Sequence, residues 1–277
     1  MSTSVPLRLR PLEIGDLLDE TFRMYRRHFL LFAGISVIAS IPLAALAGYS
    51  FFTLFANLVQ QVGPDQAPTL TSLTPSITAF AVFIVVNFAL YPFLYGAITF
   101  AACESALGRP VTVWGALRGA LRRYVQIFAF LFLIFVTVLM FCLLPLWVWI
   151  WVGWVAVMPV MFIENTGLIA AMGRSWRLVE GRWWRTFLIL FLVFILIEVV
   201  SSALQAFLYL GQILLSIVLS SYLSLAISEA ATVIISSLVN PILQIAIVLI
   251  YFDLRVRKEG LDLFQLAQRV GTAPPAA

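Results

Sequence analysis

Residues 173–187 read GRSWRLVEGRWWRTF, and they run straight into the apolar stretch LILFLVFILI at 188–197. Arg174, Arg177, Arg182 and Arg185 stand beside Trp176, Trp183 and Trp184. Arginine collects on the cytoplasmic side of membranes, and tryptophan at the headgroup level. The segment therefore reads as a helix lying on the inner surface that turns into a membrane span. Arg174, Arg177, Trp176, Trp183 and Trp184 are its candidate interfacial anchors. Weaker versions occur upstream, as DETFRMYRRHFLLFAGIS at 19–36 and WGALRGALRRYVQIFAFLF at 114–132.

Composition agrees with this reading. Of 277 residues, 62% are hydrophobic and only 11% are charged. A water-facing surface needs roughly 25% charged residues, so the chain is expected to be a polytopic membrane protein. The net charge of +4 is a topology signal and implies no nucleic-acid partner, because the basic residues stand in short clusters beside apolar runs. No short apolar leader with a small-residue cleavage site precedes the first run.

The chemistry-bearing residues are few. His28 is the single histidine and has no partners at ligand spacing, so neither a metal site nor Ser/His/Asp catalysis is expected. No GxxxxGK[ST] loop occurs, and no cofactor is implied. Cys103 and Cys142 fall near opposite ends of two runs and read as packed thiols.

Taken in order, the chain predicts an amphipathic helix over about 15–28, with Leu18, Phe22, Tyr25 and Phe29 as its apolar stripe. Asp19 is placed to pair with Arg23, four residues on. A span follows over about 29–58, with Pro42 inside it, then a loop, then a span over about 76–107 containing Pro92. In that second span Ala97, Ala101 and Ser105 are spaced for close helix packing. Thr112 is expected to cap a second amphipathic helix, with Trp114, Leu117, Leu121 and Phe128 on its apolar side. Spans at about 125–144 and 149–163 flank a tight turn at Pro145. Asn165 or Thr166 then caps a third amphipathic helix with Ile169, Met172, Trp176 and Val179 on its apolar side, closed near Gly181.

The last two spans are expected at about 186–208 and 229–252. The 17 Lys and Arg residues all lie within 8–27, 109–123, 174–185 and 255–269. Six spans put every one of them on the cytoplasmic side, with both termini cytoplasmic; a seventh would not. Residues 209–227 therefore read as an outer-leaflet or re-entrant helix. A row of polar residues spaced by four, from Gln212 to Gln244, reads as helix-packing glue in preference to a pathway lining.

The fold class expected is all-α: one membrane domain over 1–277, a six-span bundle built from three surface-helix-plus-hairpin repeats. The units cover about 12–107, 112–163 and 168–257, and 271–277 forms a flexible tail. Counted at 1.5 Å per residue, Glu198, Tyr91 and Asn240 each lie about 20 Å from the cytoplasmic boundary. They are the candidate intramembrane polar site, expected to approach one another in one layer. A proton- or ion-coupled role is open to Glu198. A neutral, hydrogen-bonded packing role is preferred, because no basic partner accompanies it.

Three segments carry a resemblance: PLEIGDLLDETFRMYRRHF at 11–29, RSWRLVEGRWWRTF at 174–187 and YFDLRVRKEGLDL at 251–263. They resemble a bacterial membrane-protein family named for the membrane domain of glycerophosphoryl diester phosphodiesterases. The resemblance implies a membrane module without a catalytic domain. The last segment supplies a charged tag, Asp253, Arg255 and Arg257, which either anchors the final span or docks on the first helix through Asp16, Asp19 or Glu20. A short amphipathic helix is expected at 261–270. No enzymatic activity is expected. The chain reads as a multi-pass protein of the inner (plasma) membrane that organises lipids or an unknown protein partner at the cytoplasmic face. The alternative is a transporter or lipid-moving protein with a polar site around Glu198.

Overall fold

The structure is a computed structural model that describes residues 13–61, 70–139 and 144–260. Among these residues every regular element is a helix. The first unit comprises α1 (Ile14–Arg27), α2 (Phe29–Gln61) and α3 (Leu70–Ala106). The second comprises α4 (Val113–Arg122), α5 (Tyr124–Leu139), α6 (Leu144–Gly153) and α7 (Val157–Ile163). The third comprises α8 (Leu168–Val179), α9 (Trp183–Val218), α10 (Ser221–Val239) and α11 (Pro241–Glu259). Five helices or near-continuous helix pairs are long and apolar enough to cross a membrane, and the bent pair α4–α5, with 73° between its halves, makes six. The chain is a polytopic membrane helix bundle.

Packing follows one rule around a ring. Each amphipathic helix leans on the helix that returns to the basic end in the unit before it. Thus α4 packs on α3, α8 on α7, and α1 on α11, which closes the ring. The outgoing helices do likewise: α5 packs on α3, α9 on α6, and α2 on α10. The returning helices α3, α7 and α11 meet one another at the centre. The core therefore lies in their basic-end halves, where Ala97, Ile98, Ala101, Met158, Met161 and Ile245 are almost wholly buried. Lipid is as apolar as leucine, so burial of apolar area cannot drive this contact; close approach of small side chains does. Ala97, Ala101 and Ser105 serve in that way, as their spacing implied.

Two glycines fix how closely α8 approaches α6 and α5 approaches α3. A Cβ at Gly153 would lie 2.3 Å from the Trp176 ring, and one at Gly96 would lie 2.5 Å from Ile127 Cδ1. Trp176 also meets Trp149 edge-on at 4.4 Å.

Breaks in the returning helices are repaired from the neighbouring unit. Between α6 and α7 the buried Ser175 hydroxyl of α8 donates to the Gly153 carbonyl at 2.8 Å and accepts from the Ala156 N–H at 3.1 Å. Near Pro241 the Tyr25 hydroxyl donates to the Leu238 carbonyl, and near Pro92 the Tyr124 hydroxyl donates to the Ala89 carbonyl. A proline removes a helix N–H, and backbone groups freed inside a membrane need protein partners.

Several expectations are corrected. Residues 209–227 form no separate outer-leaflet or re-entrant helix: α9 continues to Val218, and α10 starts at Ser221. Nothing between 208 and 218 breaks the ladder, since Gly211 alone costs only about 1 kcal/mol. At 36 residues α9 is about 54 Å long, well beyond a hydrocarbon core of roughly 30 Å. The final span is likewise longer than expected and kinked at Asn240-Pro241. The turn at Pro145 is the first turn of α6.

The four-spaced polar row is split between helices by the break at Leu219 and Ser220. Its hydroxyls at Ser216, Ser224 and Thr232 bond back to carbonyls of their own helices. Thr112 caps α4 as expected, accepting from the Gly115 N–H at 3.1 Å. Gly167, and not Asn165 or Thr166, occupies the cap position of α8. Arg23 pairs with Glu20 at 2.7 Å in place of Asp19. Cys103 is a buried free thiol. Cys142, the segment 261–270 and the tail 271–277 lie outside the described residues.

The amphipathic helices are also rotated from the expected faces. In α4 the buried side is Ala116, Leu117 and Ala120, while Trp114 and Leu121 are exposed. In α8 it is Ala171, Ser175, Leu178 and Val179, while Ile169 is 86% exposed. Helices α4 and α8 therefore have three sides: one buried on the bundle, one with large exposed apolar residues, and one of basic residues.

Candidate functional site

Polar chemistry concentrates in two places. The first is the basic end of the bundle. Glu164, just beyond α7, accepts from Arg174 Nε at 3.1 Å and from the Tyr251 hydroxyl at 3.0 Å. Arg255 Nη1 donates to the same hydroxyl at 3.0 Å, and its Nε donates to Glu259 at 2.9 Å. Arg174 also donates to Glu259. Beside this network Asp253 lies between Arg185 and Arg257, the latter at 2.9 Å. Lys258 donates to the Glu180 carbonyl at 3.0 Å.

Four guanidinium groups and Lys258 stand against three carboxylates, so each carboxylate has two arginine partners and the cluster keeps a net positive charge. Burial works against the charge on Arg174, but its hydrogen bond to Glu259 and the nearby Glu164 carboxylate hold its pKa above the usual value. At the α1–α2 junction burial, with Arg27 beside it, lowers the pKa of His28. The network joins α7, α8, α9 and α11.

The tag reaches α9 through Asp253 and Arg185, and the end of α7 through Arg255 and Glu164. Asp19 is exposed and Glu20 is engaged by Arg23. The first turn of α1 also comes near, where Glu13, Ile14 and Gly15 share a recess with Arg185 and Arg257.

Of the expected anchors, Trp184 and Arg177 face outward, Trp184 at 77% exposure. Arg174 turns inward to Glu164, and Trp176 packs on Gly153. Trp183 Nε1 donates to the Trp149 carbonyl at 3.3 Å. The sequence treats all five residues alike; whether a side chain faces lipid or bundle depends on the angle at which α8 meets α7.

The second place is a cavity of about 390 Å³, walled by α3, α5, the α6–α7 break and α11. Asn87, Tyr91 and Tyr95 line one side at a spacing of four along α3; Phe128, Phe132, Trp151 and Trp154 are among the rings opposite. Among the described residues no protein hydrogen bond engages the three polar side chains. Tyr91 is 46% exposed, as are parts of Phe88, Phe132 and Phe135, so the cavity opens on the flank of the bundle.

The expected polar layer is not assembled. Glu198 and Asn240 are both exposed, and no hydrogen bond links either of them to Tyr91 among the described residues. The depths were read in common, but depth does not set direction. The buried face of α9 is Thr186, Ile189, Leu190 and Val193, and 100° per residue carries Glu198 roughly 130° away from it. Tyr91 instead joins Asn87 and Tyr95. Their four-residue spacing was the signal for this ladder, whereas the rings facing it come from other helices and leave no local trace.

The fold and these two places define an integral membrane bundle with a cluster of paired charges at one end and an aromatic cavity within. No family model matches the chain, and no curated protein or solved structure matches it either.

Proposed function

We propose that the chain is a non-enzymatic integral membrane module that organises lipids, or a protein partner, at the cytoplasmic face of a bacterial inner (plasma) membrane. The observation that carries this reading is the outward side of the amphipathic helices. Trp114, Leu121, Ile169 and Trp184 are exposed there, with Arg118, Arg122 and Arg177 exposed near them. Exposed rings and aliphatic chains suit the headgroup boundary, and each basic residue near an anionic surface attracts it by about 1 kcal/mol. The clustering of basic residues at one end supports cytoplasmic termini. The recurring element order supports three related units, and the resemblance of 11–29, 174–187 and 251–263 to the phosphodiesterase-associated membrane family accords with a module that lacks catalysis.

The test begins with native mass spectrometry of protein released from vesicles of phosphatidylethanolamine and phosphatidylglycerol. Wild type is expected to retain phosphatidylglycerol preferentially, and the triple variant Arg118→Gln, Arg122→Gln, Arg177→Gln to lose the preference. Equal retention by both proteins would count against the basic rim. Crosslinking in native membranes separates the two cargoes: a protein recovered in near-equal amount favours a scaffold, and lipid alone favours lipid organisation.

A lipid-moving protein is the second reading. Its support is the recurring element order, with Pro92 and Pro241 interrupting the first and third returning spans. Lipid flux in proteoliposomes above the protein-free rate would move this reading ahead.

A further inference from the structure

We infer that the cavity beside Asn87, Tyr91 and Tyr95 binds a neutral, membrane-soluble molecule whose flat ring carries carbonyl or hydroxyl groups, the chemistry of a quinone. This site is separate from the basic rim and does not rest on the rim's role.

Size comes first. The cavity measures about 390 Å³, within the usual range for small-molecule sites and equal to the liquid volume of roughly a dozen waters. It is ring-sized, too small for a whole phospholipid. Charge comes next. No charged residue lines it, so an ionic headgroup entering it would lose water and gain no counter-ion.

The walls then set the shape. Phe128 and Phe132 stack with 3° between their planes, and Trp151 and Trp154 add further apolar faces. Flat rings pack against such walls in offset or edge-on contact. The opposite wall differs. Asn87, Tyr91 and Tyr95 climb about 12 Å along one face of α3 and have no protein hydrogen bond among the described residues. An amide and two phenols donate to carbonyl oxygens and exchange hydrogen bonds with hydroxyls. A saturated chain filling this space would cover those groups and leave them unmatched. A molecule with oxygen on its ring satisfies them. Entry is lateral, past exposed Phe88, Phe132 and Phe135, so a ligand dissolved in the bilayer need not pass through water, and an apolar tail can stay in lipid.

The experiment uses the full chain in nanodiscs of phosphatidylethanolamine and phosphatidylglycerol, titrated with menadione, a tail-less naphthoquinone. Trp151 and Trp154 report occupancy through fluorescence quenching. Saturable quenching is expected. Tyr91→Phe with Tyr95→Phe keeps the cavity's shape, removes two hydrogen-bonding groups, and should weaken binding by about tenfold. Leu131→Phe, which fills the space, should also weaken it. An unchanged unfolding midpoint in Leu131→Phe keeps the test valid if the tyrosine variant folds poorly. Quenching that rises linearly without saturation in all proteins overturns the site. So does saturable quenching that neither variant alters, or displacement of menadione by an equal concentration of oleic acid.

Discussion

Tyr25 and Tyr124 do the same work in consecutive units: each donates its hydroxyl to a carbonyl three residues before a proline in a neighbouring returning helix. Tyr25 reaches Leu238 at 2.6 Å, before Pro241, and Tyr124 reaches Ala89 at 2.8 Å, before Pro92. At the third seam the indole N–H of Trp183, at the start of α9, donates to the Trp149 carbonyl of α6, with no proline three residues on. Each joins one unit to the unit before it, so these bonds fasten the ring at its three seams.

Removing the Tyr25 or Tyr124 hydroxyl should therefore loosen a seam without disturbing either helix. Tyr25→Phe and Tyr124→Phe are each expected to lower stability by about 0.6 kcal/mol, and by no more than roughly 1.7. Because the two bonds lie in different interfaces, their effects should add. Unfolding by sodium dodecyl sulfate in mixed micelles checks this. A double variant as stable as wild type would show that the bonds carry no load.

Gly153 and Gly96 should differ in their tolerance of a methyl group. A Cβ at Gly153 strikes the Trp176 ring, which is wedged against Trp149, while one at Gly96 meets the movable end of Ile127. Gly153→Ala is expected to cost about 1–3 kcal/mol and Gly96→Ala clearly less. Trp176→Leu should recover part of the Gly153→Ala loss in a double-mutant cycle, and additive losses would argue against the contact.

Two carboxylates at the basic end should respond in opposite measure to neutralisation. Asp253 is buried between Arg185 and Arg257, whereas Glu104 meets an exposed Arg109 at 3.4 Å. Asp253→Asn removes the carboxylate charge between two partly buried guanidinium groups and is expected to cost roughly 2 kcal/mol, below the 3–5 known for buried charges left uncompensated. Glu104→Gln should cost less than about 1 kcal/mol. Thermal unfolding in detergent compares them; equal losses would refute the ranking.

His28 should make stability fall on acidification. Burial, then Arg27, lowers its pKa in the folded chain, so the unfolded chain binds the proton more readily. The contribution is absent above the ordinary histidine pKa of about 6.5 and becomes a loss as pH drops below it. In His28→Gln the decline in unfolding midpoint between pH 7.5 and pH 5 should be shallower than in wild type. Parallel declines would exclude His28 as a source.

The sequence alone determined that the chain is a membrane helix bundle, where its basic end lies, and that an amphipathic helix precedes each pair of apolar runs. Those properties belong to stretches of neighbouring residues: about 20 apolar side chains in a row, or arginine and tryptophan at their edge. It also carried the Thr112 cap and the small-residue spacing at Ala97 and Ala101, both of which are local.

Direction and closure were decided only by tertiary structure. Counting residues puts Glu198 and Tyr91 at one depth, yet one faces outward from α9 and the other lines a cavity, because helix rotation is set by what each helix packs against. Arg174 and Arg177 stand three apart, yet the first turns to Glu164 while the second stays exposed. The pairing of Tyr25 with Leu238 and of Ser175 with the Gly153 carbonyl depends on α1 closing the ring against α11 and on α8 meeting the α6–α7 break. In lipid, apolar patterning no longer marks which face is inside, so the sequence lacks the signal that would have oriented these side chains.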